Sequence, residues 1–192
     1  SIGKSALFKD GSSQSLNRTF DSGGNRKTWT CSIWAYRGTQ GGDNSLFTGY
    51  GNGSQAAGFY FSNDSGTADR IEFYNNYSGG WITYFKTSAL FKDTGWYHIV
   101  VVFDSTDSTQ TDRMKLYVNG TRFTSFSAVD WPTLNEDGFI NQAQLHSVGS
   151  LINAAYWYDG YIAETVFING SALAATSFGE FDTTGEYWTP LS

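Results

Sequence analysis

Between Trp29 and Tyr36 the chain alternates strictly. Trp29, Cys31, Ile33 and Ala35 fall on one side, and Thr30, Ser32, Trp34 and Tyr36 on the other. A period of two residues is the mark of a β-strand. Phe59-Tyr60-Phe61 and Ile71-Glu72-Phe73-Tyr74 read as short aromatic strands, separated by the turn-rich Ser62-Asn63-Asp64-Ser65-Gly66. Trp81 to Phe85 is another strand, entered through Ser78-Gly79-Gly80. Trp96 to Phe103 is the most apolar segment and predicts a central strand covered on both faces. Arg113 to Val118 is amphipathic, with Met114, Leu116 and Val118 on one side. Asn119-Gly120 then favours the two-residue positive-φ turn that closes a hairpin. Asn169-Gly170 predicts the same after a strand from Tyr161 to Ile168. Val129 to Asn141 reads as a long loop, and Leu173 to Phe178 has room for one helical turn.

Strands and turn signals recur over the whole length without a competing helical period. That predicts one all-β domain over residues 1–192, an antiparallel two-sheet β-sandwich of the jelly-roll kind. The hexapeptide Ser5-Ala6-Leu7-Phe8-Lys9-Asp10 recurs as Ser88-Ala89-Leu90-Phe91-Lys92-Asp93. Its flanks do not match, so it does not define a repeat architecture.

Composition agrees and narrows the function classes. Phe, Tyr and Trp make 18% of the 192 residues, enough to drive collapse and exclude a disordered chain. Charged residues reach only 16%, against about 25% in ordinary soluble domains. The net charge is −6 and no window is strongly basic, so a nucleic-acid backbone is not an expected partner. The longest apolar run, Ile99 to Phe103, is far too short to cross a membrane. The chain starts at Ser1, which fits loss of an initiator Met or a fragment of a longer chain, and no signal peptide is read there. Cys31 is the single cysteine, which excludes an intramolecular disulfide and predicts a buried thiol.

Two stretches carry a resemblance. Gly95-Trp96-Tyr97-His98-Ile99-Val100-Val101, followed by Arg113 to Gly120, resembles the core of laminin-G-like, concanavalin A-like jelly rolls. Tyr158 to Gly170, running on to Ser177-Phe178-Gly179-Glu180, and Asn25 to Thr30 are similar to laminin-G-like modules of bacteriophage tail fibres and other virion proteins. The resemblance covers the chain from about Leu16 to Pro190. It implies two antiparallel sheets face to face, and a place on the exterior of a virion among other virion proteins. It does not choose between capsid decoration, head fibre and tail fibre.

The residues offer little for catalysis. A glycosidase needs two carboxylates at a set separation, and the alternating acidic strand of the glucanases has no counterpart here. Glu72 and Glu164 stand alone in apolar strands. His98 and His146 also sit in apolar strands and read as core histidines. The chain is therefore expected to be no enzyme and to need no cofactor.

Calcium is the one metal the resemblance raises. Asp104, Asp107 and Asp112 are weak candidates in a loop. Pentraxin-like relatives carry acids after the strand matching Leu145 to Gly149. Here Ser150-Leu151-Ile152-Asn153 has none.

Sugars remain. Their apolar ring faces suit exposed Trp and Tyr, and their hydroxyls suit short polar side chains. Tyr74 and Asn76, Trp81, and Asn153 with Tyr156, Trp157 and Tyr158 supply such material. Three rings in succession cannot all point inward from a strand. The expected role is presentation of a glycan-binding surface for attachment to a host. The alternatives are a ligand-free cohesion component of the virion or a cellular calcium-dependent lectin. A homo-oligomer, with a trimer as one such form, is the expected assembly, although no heptad enforces one.

Overall fold

The computed structural model describes residues 2–38, 42–52, 55–64, 68–77, 80–151 and 156–191. Its strands run in chain order as β1 (Ala6–Phe8), β2 (Leu16–Thr19), β3 (Thr28–Arg37), β4 (Asn44–Asn52) and β5 (Gln55–Asp64). β6 (Ala68–Tyr77), β7 (Gly80–Thr87), β8 (Gly95–Asp104), β9 (Met114–Val118) and β10 (Thr121–Phe123) follow. The last are β11 (Phe126–Asp130), β12 (Leu145–Val148), β13 (Gly160–Asn169), β14 (Gly179–Phe181) and β15 (Trp188–Pro190). A six-stranded sheet has the order β1-β13-β3-β8-β9-β10, and a seven-stranded sheet the order β11-β7-β6-β5-β4-β12-β2. All pairings are antiparallel, as expected for a jelly-roll sandwich. β14 and β15 form a separate small hairpin.

The core lies between the two large sheets because alternation places one apolar face of each against the other. Trp29, Cys31, Ile33 and Ala35 of β3 meet Phe59 and Phe61 of β5 and Ile71 and Phe73 of β6. Trp29 stacks on Phe103 at 5.5 Å and on Phe167 at 5.9 Å. Ring pairs of this kind contribute about 0.5–1.5 kcal/mol beyond area burial. Cys31 is fully buried, and burial alone pushes its thiol pKa up, so it is unreactive in the folded chain. Gly49 of β4 matters for a different reason. A Cβ there would come within 2.9 Å of His146 Nε2, so its absence lets the imidazole lie on the strand.

The second face of β3 is buried as well, which its alternation does not announce. Thr30, Ser32 and Trp34 are all at most 4% exposed. The C-terminal segment crosses this outer face of the six-stranded sheet. Thr30 Oγ1 donates to Ser171 O and accepts from Leu173 N. Ala175, in the one-turn helix Ala175–Ser177, packs on Val100 and Val102 with Phe178 and Trp188. β8 is therefore covered on both sides, as its apolar run predicts.

His98 is held in this layer. Trp188 Nε1 donates to His98 Nδ1 at 2.8 Å, so the imidazole proton sits on Nε2 and faces Ser32 Oγ, also at 2.8 Å. The ring stacks on Trp34 at 4.6 Å. His146 is the opposite tautomer. Its Nε2 accepts from Asn141 N at 3.1 Å, and its Nδ1 donates to Gln144 O at 3.0 Å. Both are satisfied core histidines, as expected.

Two Asn-Gly pairs part company. Val118 pairs with Thr121 across Asn119 (φ 47°) and Gly120 (φ 79°), the expected two-residue hairpin. Asn169 and Gly170 make no hairpin. Asn169 still pairs with Trp29, and its Oδ1 accepts from Asn25 N and Asn141 Nδ2. The side chain is a tether between three loops, and the chain then leaves for the outer face.

Candidate functional site

The outward face of the seven-stranded sheet carries the chemistry. Register alone lines up Tyr60 of β5, Glu72 of β6 and Lys86 of β7 in one row. The next row on the same face holds Tyr74 opposite Tyr84. Glu72 is the hub. Its Oε2 accepts from Tyr60 Oη at 2.9 Å and from Tyr84 Oη at 2.8 Å. Lys86 Nζ lies 2.8 Å from Oε1. Glu72 is only 5% exposed, so these donors replace most of its carboxylate's water.

The hub fixes the protonation of its neighbours. Burial, then the Glu72 charge, raises the Tyr60 phenol well above its usual value. Burial and the hydrogen bond to Glu72 push the Tyr84 phenol up to about 12. Both rings are locked as phenols donating to one carboxylate, which holds their orientation.

Tyr156 closes the face from above. Its ring stacks on Tyr60 at 5.9 Å and 15°, and Tyr60 in turn meets Tyr74 edge-on at 5.9 Å. Tyr156 has φ 58°, a conformation unfavourable for a side chain of this size. Its carbonyl accepts Ser45 N at 2.9 Å, which ties the turn to β4. The ring remains 41% exposed.

The expected site residues are thus only partly gathered. Tyr74 is buried at 9% exposure, against the expected exposed ring, and reaches Tyr156 only through Tyr60. Asn76 follows Tyr74 on the same side of β6, half-buried, with an Oδ1 that has no hydrogen-bond partner among the described residues. Trp157 is half-buried. Tyr158 is corrected to the core. It is 1% exposed and donates its hydroxyl to Tyr36 O at 2.9 Å, so no ligand reaches it. Asn153 lies outside the described residues, as does the side chain of Trp81. Tyr60, Tyr84 and Lys86 were not singled out from sequence. Their signal is the alternation itself, which puts Tyr60 and Glu72 on outward positions of adjoining strands.

The three loop aspartates do not converge on a cation. Asp104 Oδ1 accepts from Thr28 and Thr106. Asp107 accepts Thr109 N and faces Lys115 at 3.8 Å. Asp112 pairs with Arg122. Among the described residues no three His, Cys, Asp or Glu side chains form a metal-sized group.

Two packed antiparallel sheets in this strand order define a jelly roll of the concanavalin A type. A laminin-G family model, described as the concanavalin A-like lectin/glucanases superfamily, matches residues 10–177, and the chain belongs to that family. No curated protein matches it. Among solved structures, mouse laminin α1 chain domains LG4-5 superpose with a TM-score of 0.61 at 14% identity, over 100% of this chain and 45% of that one. The Ruminococcus gnavus IT-sialidase CBM40 gives 0.56 at 14% identity, covering 84% and 95%. Domain 4 of a GH43 extracellular arabinanase from Geobacillus stearothermophilus, in complex with arabinotriose, gives 0.55 at 15% identity, covering 90% and 73%. At these identities the likeness is one of fold.

Proposed function

We propose that the chain is a non-catalytic carbohydrate-binding module whose ligand lies on the Tyr60–Tyr156 face. The observation that carries this is the exposed Tyr156 ring, held by a positive-φ backbone and stacked on Tyr60 beside the Glu72 hub. The rings offer apolar faces to a sugar, and the phenol–carboxylate–ammonium row offers fixed polar groups for hydroxyls. The structures of similar fold support the class, since one of them holds arabinotriose and CBM40 has been solved with α2,3-sialyllactose. Glu72 is already engaged at both oxygens, which suits a positioning role and not the paired acid and nucleophile of a glycosidase.

In this reading the module stands on the exterior of a bacteriophage particle and meets a glycan of the host surface. The support is the resemblance of Tyr158 to Gly170 and Asn25 to Thr30 to laminin-G-like virion modules. The test is a glycan array probed with the purified chain and with Tyr156→Ala. Binding that weakens roughly fivefold in the variant is expected, the scale of one aromatic contact. No binding to any glycan, by a folded chain, would overturn the reading in favour of a cohesion role. Antibody labelling of phage particles by electron microscopy tests the location.

A further inference from the structure

A second aromatic cleft lies on the opposite side of the sandwich, between the β14–β15 hairpin and the outer face of the six-stranded sheet. Its volume is about 310 Å³, at the lower end of the about 300–1,000 Å³ of small-molecule sites. We propose that this cleft is a separate site for a neutral saccharide.

The floor is built from Trp34 and Trp188. Trp188 is fixed by its hydrogen bond to His98 and by close packing on Gly179, where a Cβ would come within 2.7 Å of the indole. Trp96 lines a wall, and Phe181 meets Trp188 edge-on at 5.0 Å. Phe181 and Tyr187 are 49% and 66% exposed, large apolar groups left in water beside a concavity.

The rim is preorganised. Asp182 Oδ1 accepts from Thr184 Oγ1, Glu186 N and Tyr187 N, and Gly185 supplies a φ of +76°. This tight turn sets Glu186 and Tyr187 side by side at the mouth. Preorganised loops lose less entropy on binding. Asn119 completes the rim, its Oδ1 holding His98 N at 2.8 Å.

The polar groups choose the ligand class. The Trp34 indole N–H is buried and has no hydrogen-bond partner among the described residues. Its ring lines the cleft while the N–H itself is sealed from solvent, so the choice of ligand falls to the groups at the rim. Glu186 needs a donor and repels an anion, and no Lys or Arg is among the described residues that line the cleft. A sugar hydroxyl is donor and acceptor at once. Its ring also offers the C–H face that Trp96 and Tyr187 can cover.

The rings continue beyond the cleft. Trp96 pairs with Tyr36, Tyr36 with Tyr161, and Tyr161 with Leu7, one outward residue on each of four adjacent strands. Tyr36 touches both Trp96 and Tyr161 edge-on, at 5.5 and 6.0 Å. Strands lie about 4.8 Å apart, so the row can accompany a saccharide of more than one ring. This site is independent of the Tyr60–Tyr156 face, and the variants below separate the two.

The test uses the ¹⁵N-labelled full chain, with indole N–H signals assigned by single Trp→Phe variants. Methyl glucoside, methyl galactoside, N-acetylglucosamine, lactose and cellobiose are titrated, with choline and sialic acid as charged controls. The expected result is that at least one neutral sugar moves the Trp34 and Trp96 signals. Tyr187→Ala and Glu186→Gln should weaken that binding roughly fivefold, while Tyr156→Ala leaves it unchanged. The proposal is overturned if no neutral sugar moves these signals, or if choline alone does. It is also overturned if the response survives Tyr187→Ala but is lost in Tyr156→Ala, which would leave the Tyr60–Tyr156 face standing alone.

Discussion

Arg37, at the end of β3, and Asp69, at the start of β6, form a buried ion pair at 2.6 Å that joins the two sheets. Arg37 also donates to Phe91 O at 2.7 Å and lies 4.3 Å over the Phe61 ring. The guanidinium is 2% exposed, so its charge is balanced by Asp69, one carbonyl and one ring face. Removing one partner leaves the other charge buried and unpaired. Asp69→Ala should cost about 3–5 kcal/mol in urea unfolding. Replacing both residues with apolar ones of similar volume should recover most of that. A double variant as unstable as the single one would show that the pair is not the source.

The chain should lose stability with acid through His98. Burial lowers its pKa from 6.5 to about 4, so it is neutral when folded. Below about pH 6.5 the unfolded chain takes up a proton that the folded chain refuses, and stability falls until about pH 4. From pH 7 to 5 this amounts to about 2 kcal/mol. His146, lowered by burial, adds in the same direction. Urea unfolding of the wild type and His98→Asn at the two pH values checks this. An equal pH slope in both would remove His98 from the account.

Glu72 is predicted to hold the Tyr60–Tyr156 face in shape. In Glu72→Ala the phenols of Tyr60 and Tyr84 lose their shared acceptor, at a cost of about 1–3 kcal/mol. The Tyr84 phenol should then titrate below about 12, because burial still raises it but the carboxylate no longer does, and Lys86 lowers it. Phenolate absorbance in an alkaline titration reports both effects. An unchanged titration would mean the hub does not control these rings.

Chelation should change nothing in the described face. Asp104, Asp107 and Asp112 are each engaged by hydroxyls, amides or cations of the chain. The thermal midpoint and the glycan response are therefore expected to be the same with and without EDTA. A drop of several degrees on chelation would place a structural cation in the chain.

What could be read in advance follows from parity. Alternation in Trp29–Tyr36, Trp96–Phe103 and Met114–Val118 assigns each side chain to a face, because the pleat has a period of two. Asn119-Gly120 made its turn because positive φ is a local demand. Parity does not say what covers each face. The C-terminal segment that buries Thr30, Ser32 and Trp34 arrives from residues about 140 positions away. The same limit separates Tyr156, stacked outward on Tyr60, from Tyr158, drawn into the core by Tyr36 O.

The repeated hexapeptide shows the division most simply. Ser5 to Asp10 contains the strand β1, while Ser88 to Asp93 is irregular chain. In both copies the leucine is exposed, Leu7 at 45% and Leu90 at 44%, and the phenylalanine is buried, Phe8 at 3% and Phe91 at 9%. Six residues suffice to put the phenylalanine inside and the leucine out, since burying the larger apolar side chain removes more area from water. Whether they form a strand depends on a partner edge, and only β1 finds one, in β13. The Glu72 hub and the Trp34–Trp188 cleft are of this second kind. Each needs groups from separate strands at hydrogen-bonding or ring-contact distance, and only the closed sandwich sets those distances.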